Sequence, residues 1–432
     1  MRLYDLRNGA DPTPLRNAFS DRISPTDDEA GEGVVRTILS DVRRGGDDAV
    51  LELTRRFDYA GATTLRVSHE AVETAVRRVE NTPLWEAMGF AANRVRSFHE
   101  KHRRESWLTL STPGETLGQV IRPLSRVGVY VPGGTAAYPS TVLMAAIPAR
   151  VAGVPFIALA TPPNKETGLP PDATLAAAHI AGVSEIYAMG GAQAIAALAY
   201  GTETVPPVVK IVGPGNRYVN LAKRLLYGVV GIDMLAGPSE VGIIADDTAS
   251  VKTVAIEVIA QTEHDPLNSA LLVTTSFALA TAVQSEIKQQ LTDLPRAGIV
   301  RSALENSGYI AIVDTISEAI AIMNVYSPEH LHLLVENPWQ VVNGIENAGA
   351  ILIGEDSAAA IGDYVAGPCH TLPTAGSARY SSPLHVDDFT KKTSIIALNK
   401  TVARSLASAA VSFAEAEGLE AHARSARHVL ED

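Results

Sequence analysis

The chain has 432 residues, 46% of them hydrophobic, and a formal net charge of −12. This length and apolar content are sufficient for two or three domains. The negative charge argues against nucleic acid or an anionic membrane as the main partner, although small anionic ligands remain compatible with it. The single cysteine, Cys369, excludes an intrachain disulfide framework and a zinc site built from several cysteines.

The start of the chain has no apolar signal region, and Pro, Arg or Lys interrupts each long apolar stretch before it could span a membrane. We therefore expect a cytoplasmic protein with no membrane segment. Residues 1–24 are predicted to form an N-terminal arm without assigned chemistry. From about Asp27 to Arg104 the pattern is helical and charged, and Gly45-Gly46 is predicted to end one helix before another begins near Ala49.

In the middle of the chain, short β-rich runs alternate with Ala-rich helical stretches. These runs are Val127–Val131, Phe156–Ala160, Glu185–Met189 and Val208–Val212. The alternation is typical of βαβ units on a parallel sheet. A second α/β region repeats it with Val241–Ala245, Ser269–Thr274, Tyr309–Val313, Leu331–Val335 and Ala350–Ile353. A loop and a helical segment from about Val402 to Val429 follow.

Glycines cluster where three of the predicted strands end. The three junctions are Val131-Pro132-Gly133-Gly134-Thr135, Met189-Gly190-Gly191-Ala192-Gln193 and Val212-Gly213-Pro214-Gly215-Asn216. Glycine lets a ligand approach the backbone, helix N-termini favour phosphate, and open α/β sheets bind ligands at the carboxyl ends of strands. A nucleotide site is therefore favoured over plain tight turns, although no GxGxxG fingerprint is present. Tyr130, Gln193 and Asn216 add one aromatic ring and two amides at these junctions.

Two Glu-His pairs, Glu263-His264 and Glu329-His330, are the strongest chemical signal, because imidazole both ligates divalent metals and transfers protons near neutral pH. Gln261 and His264 lie three residues apart at the end of a predicted helix, which would place an amide oxygen and an imidazole on one face. Zinc accepts such donors and needs about four of them. The same spacing is also typical of a surface or capped helix.

Further polar residues occur in small-residue or helical surroundings. Asp363 follows a run of small residues, where it suits either a ligand or a helix cap. Glu417 and His422 lie five residues apart on the C-terminal helical segment, where most histidines are solvated. From spacing alone, Gln261, His264, Asp363 and His422 are one possible metal set among many.

Taken together, these segments resemble the histidinol dehydrogenase family over nearly the whole chain. The matching runs are Val127–Thr135, Gly190–Thr202, Gly213–Asn216, Ala236–Val241, Gln261–Pro266, Pro328–Leu331, Gly362–Tyr364 and Gly418–Ala423. The resemblance implies an enzyme that oxidises L-histidinol to L-histidine through the aldehyde, with one zinc ion per subunit and NAD⁺ as cofactor. It also implies a homodimer in which the helical tail of one subunit completes the site of its partner.

Carried over by position, the resemblance assigns roles to individual residues. Zinc ligands would be Gln261, His264, Asp363 and His422; catalytic residues Glu329 and His330; NAD contacts Tyr130, Gln193 and Asn216; substrate contacts Ser239, Gln261, His264, His330, Asp363, Glu417 and His422. A neutral imidazole such as His330 can remove the alcohol proton. Because the second oxidation passes through a hydrate, we assign the activation of water to Glu329. Zinc would position the substrate rather than supply hydroxide.

We predict an α/β fold with two incomplete Rossmann-like domains on parallel sheets, a short N-terminal arm and a helical C-terminal tail. The first α/β domain is predicted to combine residues 25–126 with 237–380 and to carry the metal and catalytic residues. The second, residues 127–236, is predicted to bind NAD. Residues 381–432 form the predicted tail, packing on the dimer partner.

Three positions depart from the family pattern. Cys369 stands where Asn is common, His332 where an acidic residue is common, and Pro383-Leu384-His385 replaces a Gly-Leu-Ser-like run. Cys369 suits a small buried hydrophobe better than a catalytic thiol. The departures leave open a related dehydrogenase that oxidises another polar primary alcohol, such as a sulfonated diol, to its acid. A catalytically silent metal-binding protein on the same scaffold is the alternative of a different class.

Overall fold

The computed structural model describes residues 1–20, 29–133 and 137–431. Two compact units make up the chain: residues 1–101 with 125–389, and residues 102–124 with the described residues from 390 onward. The first unit contains two parallel sheets, and the second contains a small antiparallel sheet and two helices.

The strands and helices alternate through most of the chain. The strands are β1 (Arg2–Asp5), β2 (Trp107–Thr109), β3 (Glu115–Pro123), β4 (Arg126–Tyr130), β5 (Phe156–Thr161), β6 (Glu185–Ala188), β7 (Lys210–Val212), β8 (Gly231–Ile232), β9 (Glu240–Ala245), β10 (Ser269–Thr274), β11 (Gly308–Ile312), β12 (His330–Leu334), β13 (Ala350–Ile353) and β14 (Thr390–Leu398). The α-helices are α1 (Thr13–Ser20), α2 (Glu29–Phe57), α3 (His69–Val79), α4 (Pro83–Glu100), α5 (Pro139–Val151), α6 (Asp172–Ile180), α7 (Gly191–Tyr200), α8 (Arg217–Leu226), α9 (Val251–Thr262), α10 (Phe277–Gln290), α11 (Ala297–Ser307), α12 (Ile316–Tyr326), α13 (Pro338–Val342), α14 (Ala359–Ile361), α15 (Lys400–Ala416) and α16 (Glu420–Glu431).

The larger sheet of the first unit has six parallel strands in the order β1-β11-β10-β9-β12-β13. Its inner strands are buried on both faces, as expected for a parallel sheet covered by helices. Ile243 faces a core formed with α9, α10 and α11, whereas the next residue, Ile244, faces a core formed with α1 and α12. Both cores thus fix β9 and β12 rigidly beside each other.

The second sheet has five parallel strands in the order β6-β5-β4-β7-β8. Helix α7 is rich in Ala and buried from Ala192 to Ala199, and it packs with α2 and α8 on one face of this sheet. Helix α2 is interrupted at Gly46, whose φ is +52°, and this confirms the predicted break at Gly45-Gly46. The Glu203 carboxylate occupies the space that a side chain at Gly46 would need.

The second unit was only partly predicted. Its antiparallel sheet, in the order β14-β3-β2, pairs Thr390 with Pro123 and Leu398 with Glu115, and the sequence pattern gave no sign of it. The predicted continuous helix from Val402 to Val429 is wrong in one respect, because the chain turns at Gly418 (φ +72°) between α15 and α16.

The α/β class with parallel sheets and a helical C-terminal end is confirmed. Within the predicted N-terminal arm, β1 pairs in parallel with β11 and so belongs to the six-stranded sheet. The exact domain boundaries stay a prediction, and the one placed between residues 24 and 25 lies outside the described residues. In the described part of the chain, no helix is both long and apolar enough to cross a membrane.

Candidate active site at the amino edge of the six-stranded sheet

Glu329 and His330 lie where β12 begins, beside the first residue of β9. Ser327 ends α12 in the left-handed conformation (φ +50°) and Pro328 follows it, so the chain turns sharply into the strand. The backbone N–H of Glu240 donates to Oε2 of Glu329 at 3.2 Å. The pair is therefore held at the amino edge of the sheet by the two central strands.

His330 is 5% exposed, and its two ring nitrogens face different groups. Nε2 lies 3.0 Å from Oδ1 of Asp363, and Nδ1 lies 3.8 Å from Oε2 of Glu329. Burial acts to lower the pKa of His330, but the hydrogen bond to Asp363 and the charge of Glu329 outweigh it and raise the pKa. Because an ionised carboxylate only accepts, Nε2 donates to Asp363, and in the neutral imidazole Nδ1 carries the lone pair. Among the described residues, Nδ1 has no hydrogen-bond partner.

Glu329 is 8% exposed, and burial raises its pKa to about 7. The charge of His330 opposes this shift, whereas the neighbouring carboxylate of Glu240 reinforces it. A carboxylate with a pKa near neutrality can exchange a proton with water under physiological conditions. Sequence reasoning missed Glu240, whose own Oε1 accepts from the backbone N–H of Ala375 at 3.0 Å.

The side chain of Asp363 reaches this edge from a third structural element. It lies in a π-helical turn, Gly362–Ala366, directly after α14, and makes no cap. Burial acts to raise its pKa, but hydrogen bonds from His330 and Gln261 lower it, so the carboxylate stays ionised. Gln261, on the last turn of α9, is 4% exposed. The side chains of Gln261, His330 and Asp363 therefore lie close together.

His264 was predicted to share a helix face with Gln261, and this is wrong. Helix α9 ends at Thr262 with Glu263 as its cap, so His264 lies in the turn before Pro266 and is exposed. Its charge acts on His370, which in turn contacts Asp363. His264 thus lies within electrostatic range of this group, although not on the helix.

His370 holds the backbone of Asp363, and its neighbour Cys369 is buried. Nδ1 of His370 lies 2.8 Å from the carbonyl oxygen of Asp363, and Nε2 lies 3.3 Å from Oγ1 of Thr141. Since a carbonyl only accepts, Nδ1 carries the proton and Nε2 accepts from the hydroxyl. Cys369 is 3% exposed, and burial raises its pKa to about 12, so it acts as a buried apolar residue and not as a nucleophile.

The other departures from the family pattern have structural partners. Burial lowers the pKa of His332 to about 3, and its Nε2 lies 3.3 Å from Oε2 of Glu257. His385 contacts Asp388 at 2.9 Å, and Asp388 also accepts from Lys210 at 2.9 Å.

Ser239 precedes β9 and is half-buried. Its backbone N–H donates to Oδ1 of Asn268 at 2.9 Å, while Nδ2 of Asn268 donates to the carbonyl of Gln261 at 2.8 Å. Asn268 is 1% exposed and thus ties two predicted site residues together. The sequence carried no signal for Asn268 beyond its place before a strand.

Glu417 and His422 belong to the second unit. Glu417 follows α15 as its C-terminal cap, and His422 lies on the first turns of α16; both side chains are exposed.

Zinc binding by the predicted ligands depends on their donor atoms and on their arrangement. In the described part of the chain, no three side chains of His, Cys, Asp or Glu are arranged to hold a metal ion. Gln261 is an amide and lies outside that set of residue types, yet it contacts Asp363 directly. An amide oxygen, a carboxylate and imidazole nitrogens form a donor set that zinc accepts. The donor chemistry of the predicted residues therefore fits zinc.

Candidate cofactor residues at the carboxyl edge of the five-stranded sheet

Tyr130, Gln193 and Asn216 follow or end β4, β6 and β7, at the carboxyl edge of the five-stranded sheet. Tyr130 is 2% exposed and its hydroxyl accepts from the backbone N–H of Gly191 at 3.1 Å. Asn216 caps α8, accepting from the N–H groups of Tyr218 and Val219. Gly134 and Thr135 of the first junction lie outside the described residues.

Asp58, beyond the end of α2, joins the second junction, and sequence reasoning missed it. Its Oδ2 accepts from the backbone N–H of Gly190 at 3.0 Å and from Nε2 of Gln193 at 3.1 Å. Burial raises the pKa of Asp58 although both hydrogen bonds oppose the shift. These two hydrogen bonds join Asp58 to residues that follow it by 132 and 135 positions, so no local sequence pattern reveals them.

The third junction is held by a buried ion pair. Nζ of Lys223 lies 2.5 Å from Oδ1 of Asp233 and 3.0 Å from the carbonyl of Gly213, whose N–H donates to Oδ2 of Asp233 at 2.7 Å. Gly213 has φ +110°, and a side chain there would overlap the carbonyl oxygen of Tyr130. Both backbone polar groups of this glycine are therefore fixed.

The chain is similar to known proteins over nearly its whole length. The chain matches the histidinol dehydrogenase family over residues 22–429. It is 48% identical to the histidinol dehydrogenase of Halalkalibacterium halodurans, over 93% of this chain and 94% of that protein, and 49% identical to that of Bacillus licheniformis, over 90% and 91%. The crystal structure of histidinol dehydrogenase from Elizabethkingia anophelis superposes with a TM-score of 0.92 at 36% identity and covers 100% of this chain and 98% of that chain.

Proposed function

Because the chain belongs to the histidinol dehydrogenase family, we propose that it oxidises L-histidinol to L-histidine through L-histidinaldehyde, in histidine biosynthesis, with NAD⁺ as the oxidant and one zinc ion per subunit. The observation that carries the mechanism is the buried constellation of Glu329, His330 and Asp363. In a homodimer, His422 of the partner subunit would complete the site that the residues of one subunit form.

His330 is the proposed general base for the alcohol step. Asp363 accepts from Nε2 and so fixes the tautomer and the ring orientation, leaving the Nδ1 lone pair to take the hydroxyl proton. The raised pKa of His330 makes it a stronger base than a free imidazole. When bound, NAD⁺ would supply the acceptor for the hydride of the alcohol carbon, and Tyr130, Gln193 and Asn216 would hold it.

Glu329 is the proposed base for the aldehyde step. An aldehyde has no hydroxyl proton to lose, so a water molecule must add to the carbonyl before a second hydride can leave. The Glu329 carboxylate, with a pKa of about 7, accepts the proton of that water and can later release it. Its backbone donor, the N–H of Glu240, orients the carboxylate toward His330.

Gln261, His264 and Asp363, with His422 of the partner subunit, would hold zinc. When bound, zinc supplies a fixed positive charge that orients the substrate's imidazole and amino nitrogens. Ser239 and Glu417 are further proposed substrate contacts. Asn268 and His370 keep the backbones of Gln261 and Asp363 in place for this task.

The product identifies the reaction. Zinc-loaded protein incubated with L-histidinol and NAD⁺ should release L-histidine, detected by chromatography, and protein without zinc should release none. Turnover of a sulfonated diol to its acid, with no histidine from histidinol, would replace this proposal with the related dehydrogenase. Binding of zinc without turnover of either alcohol would support the silent scaffold instead.

A further inference from the structure

We infer that Asp58 determines cofactor specificity: its carboxylate accepts a hydrogen bond from a ribose hydroxyl of the dinucleotide and excludes a dinucleotide that carries a 2′-phosphate. This inference rests on the proposed binding of a dinucleotide at the carboxyl edge of the five-stranded sheet. It adds a residue that neither motif nor spacing marks.

The sheet order indicates where the adenosine ribose should lie. In dinucleotide-binding sheets, the pyrophosphate lies at the end of the first, central strand, and an acid near the end of the neighbouring strand binds the ribose hydroxyl. Here β4 is central and β5 is its neighbour in the order β6-β5-β4-β7-β8. Strand β5 ends at Thr161, and the next two residues, Pro162 and Pro163, provide no carboxylate.

Asp58 reaches this place from another element. A methyl group added to Gly190 would lie 2.6 Å from Cγ of Pro162 and 2.9 Å from Oδ1 of Asp58. One added to Gly133 would lie 3.1 Å from Cδ of Pro162. Two glycines, Pro162 after the end of β5 and the Asp58 carboxylate therefore pack closely against one another at the carboxyl edge of the sheet.

The two carboxylate oxygens are used differently. Both of these hydrogen bonds, from Gly190 and Gln193, end on Oδ2, so the side chain is fixed, while Oδ1 lies against Gly190 and accepts neither of them. Lys165 lies within electrostatic range but is exposed, and solvent screens its charge more than that of the largely buried Asp58. A phosphate placed here would face a like charge that water screens poorly.

The test compares dinucleotide binding, so it does not depend on turnover. Dissociation constants for NADH and NADPH are measured by fluorescence with the wild type, Asp58→Asn and Asp58→Ser, each checked for folding by its melting temperature. Wild type should bind NADPH at least about 100-fold more weakly than NADH, and both variants should narrow that ratio by about tenfold or more. Ser serves as the second variant because its small side chain cannot clash.

Asp47→Asn is the matched control. Asp47 lies on α2, the helix that precedes Asp58, but it accepts from Thr202 beyond the other end of α7, so its loss should leave the ratio unchanged. Equal binding of both dinucleotides by wild type, or an unchanged ratio in folded Asp58→Asn and Asp58→Ser, would overturn the inference. A clear NADH preference that depends on Asp58, in a protein that does not oxidise histidinol, would count against the proposed reaction and uphold the inference.

Discussion

The two parallel sheets of the first unit place their candidate functional residues at opposite edges. In the six-stranded sheet, Glu329, His330 and Glu240 gather where β9 and β12 begin. In the five-stranded sheet, the glycine junctions follow the carboxyl ends of β4, β6 and β7, which is the usual ligand edge of an open α/β sheet.

The chemistry of the two edges differs as much as their position. At the amino edge, buried acids and imidazoles perturb one another's pKa values, which suits proton transfer. At the carboxyl edge, charged side chains such as Asp58 and Lys223 mainly hold backbone groups of glycines. Changes at the first edge should therefore lower kcat or metal binding, and changes at the second should raise the KM for NAD⁺.

The largest effect is expected from a proposed zinc ligand, His422. His422→Asn should weaken zinc binding at least about 100-fold and lower activity by about 10⁴-fold, since metal charge contributes several kcal/mol to such reactions. Zinc content and steady-state rates would measure both. His428→Asn, also exposed on α16, is the matched control. Co-expression of His422→Asn with Asp363→Asn should regain activity in mixed dimers; normal zinc content in His422→Asn would refute its role.

Removal of the proposed base should be the next largest. His330→Asn should lower kcat about 10³-fold, because general-base catalysis contributes about 10²–10⁴-fold, while the KM for NAD⁺ stays near that of wild type. The control is His179→Asn, an exposed histidine of α6 beside the five-stranded sheet. A fall in NAD⁺ affinity without a fall in kcat would contradict the assignment of proton transfer to the amino edge and of NAD⁺ binding to the carboxyl edge.

The pKa of Glu329 predicts a pH dependence for the aldehyde step. Its raised pKa of about 7 means that the required carboxylate is protonated below that pH, so the rate should fall about tenfold for each further pH unit. The rate of histidinaldehyde oxidation across pH 5–9 would show this limb. In Glu329→Gln the limb should disappear with most of the activity; an unchanged profile would assign the ionisation to another group.

A smaller effect is expected at the carboxyl edge. Gly213→Ala should raise the KM for NAD⁺ about tenfold and leave kcat nearly unchanged, because the new methyl group would displace the carbonyl of Tyr130. Gly228→Ala is the control: its φ of +102° is similarly strained, but nothing lies within 4 Å of the added atom. If both variants behave alike, strain alone explains the effect and the junction has no special role.

Much of the α/β core could be predicted from local pattern. The strands Ser269–Thr274 and Ala350–Ile353 were predicted to the residue, because both are continuous apolar runs between turn residues, which is typical of strands in a parallel sheet. The pairing of β14 with β3 could not be predicted, since it joins segments more than 250 residues apart, and β14 is largely exposed while β3 is mostly half-buried. The short, polar strand β1 was not predicted either, because it also pairs with a distant segment of the chain.

The candidate site divides in the same way. Glu329 and His330 were identifiable because two reactive side chains adjoin in sequence. The Asp363 contact with His330, the Glu240 support and the Asp58 clamp all depend on tertiary packing, which leaves no spacing to read. The helix end before His264 was misplaced because the turn toward Pro266 begins earlier than the apolar pattern indicates.

The most direct test of the account is the number of NADH molecules formed per L-histidinol consumed by the zinc-loaded wild type. A four-electron oxidation at one site predicts a ratio of two, with no aldehyde released. A ratio of one, with histidinaldehyde accumulating, would show that the protein catalyses only the alcohol step and would contradict the role proposed for Glu329.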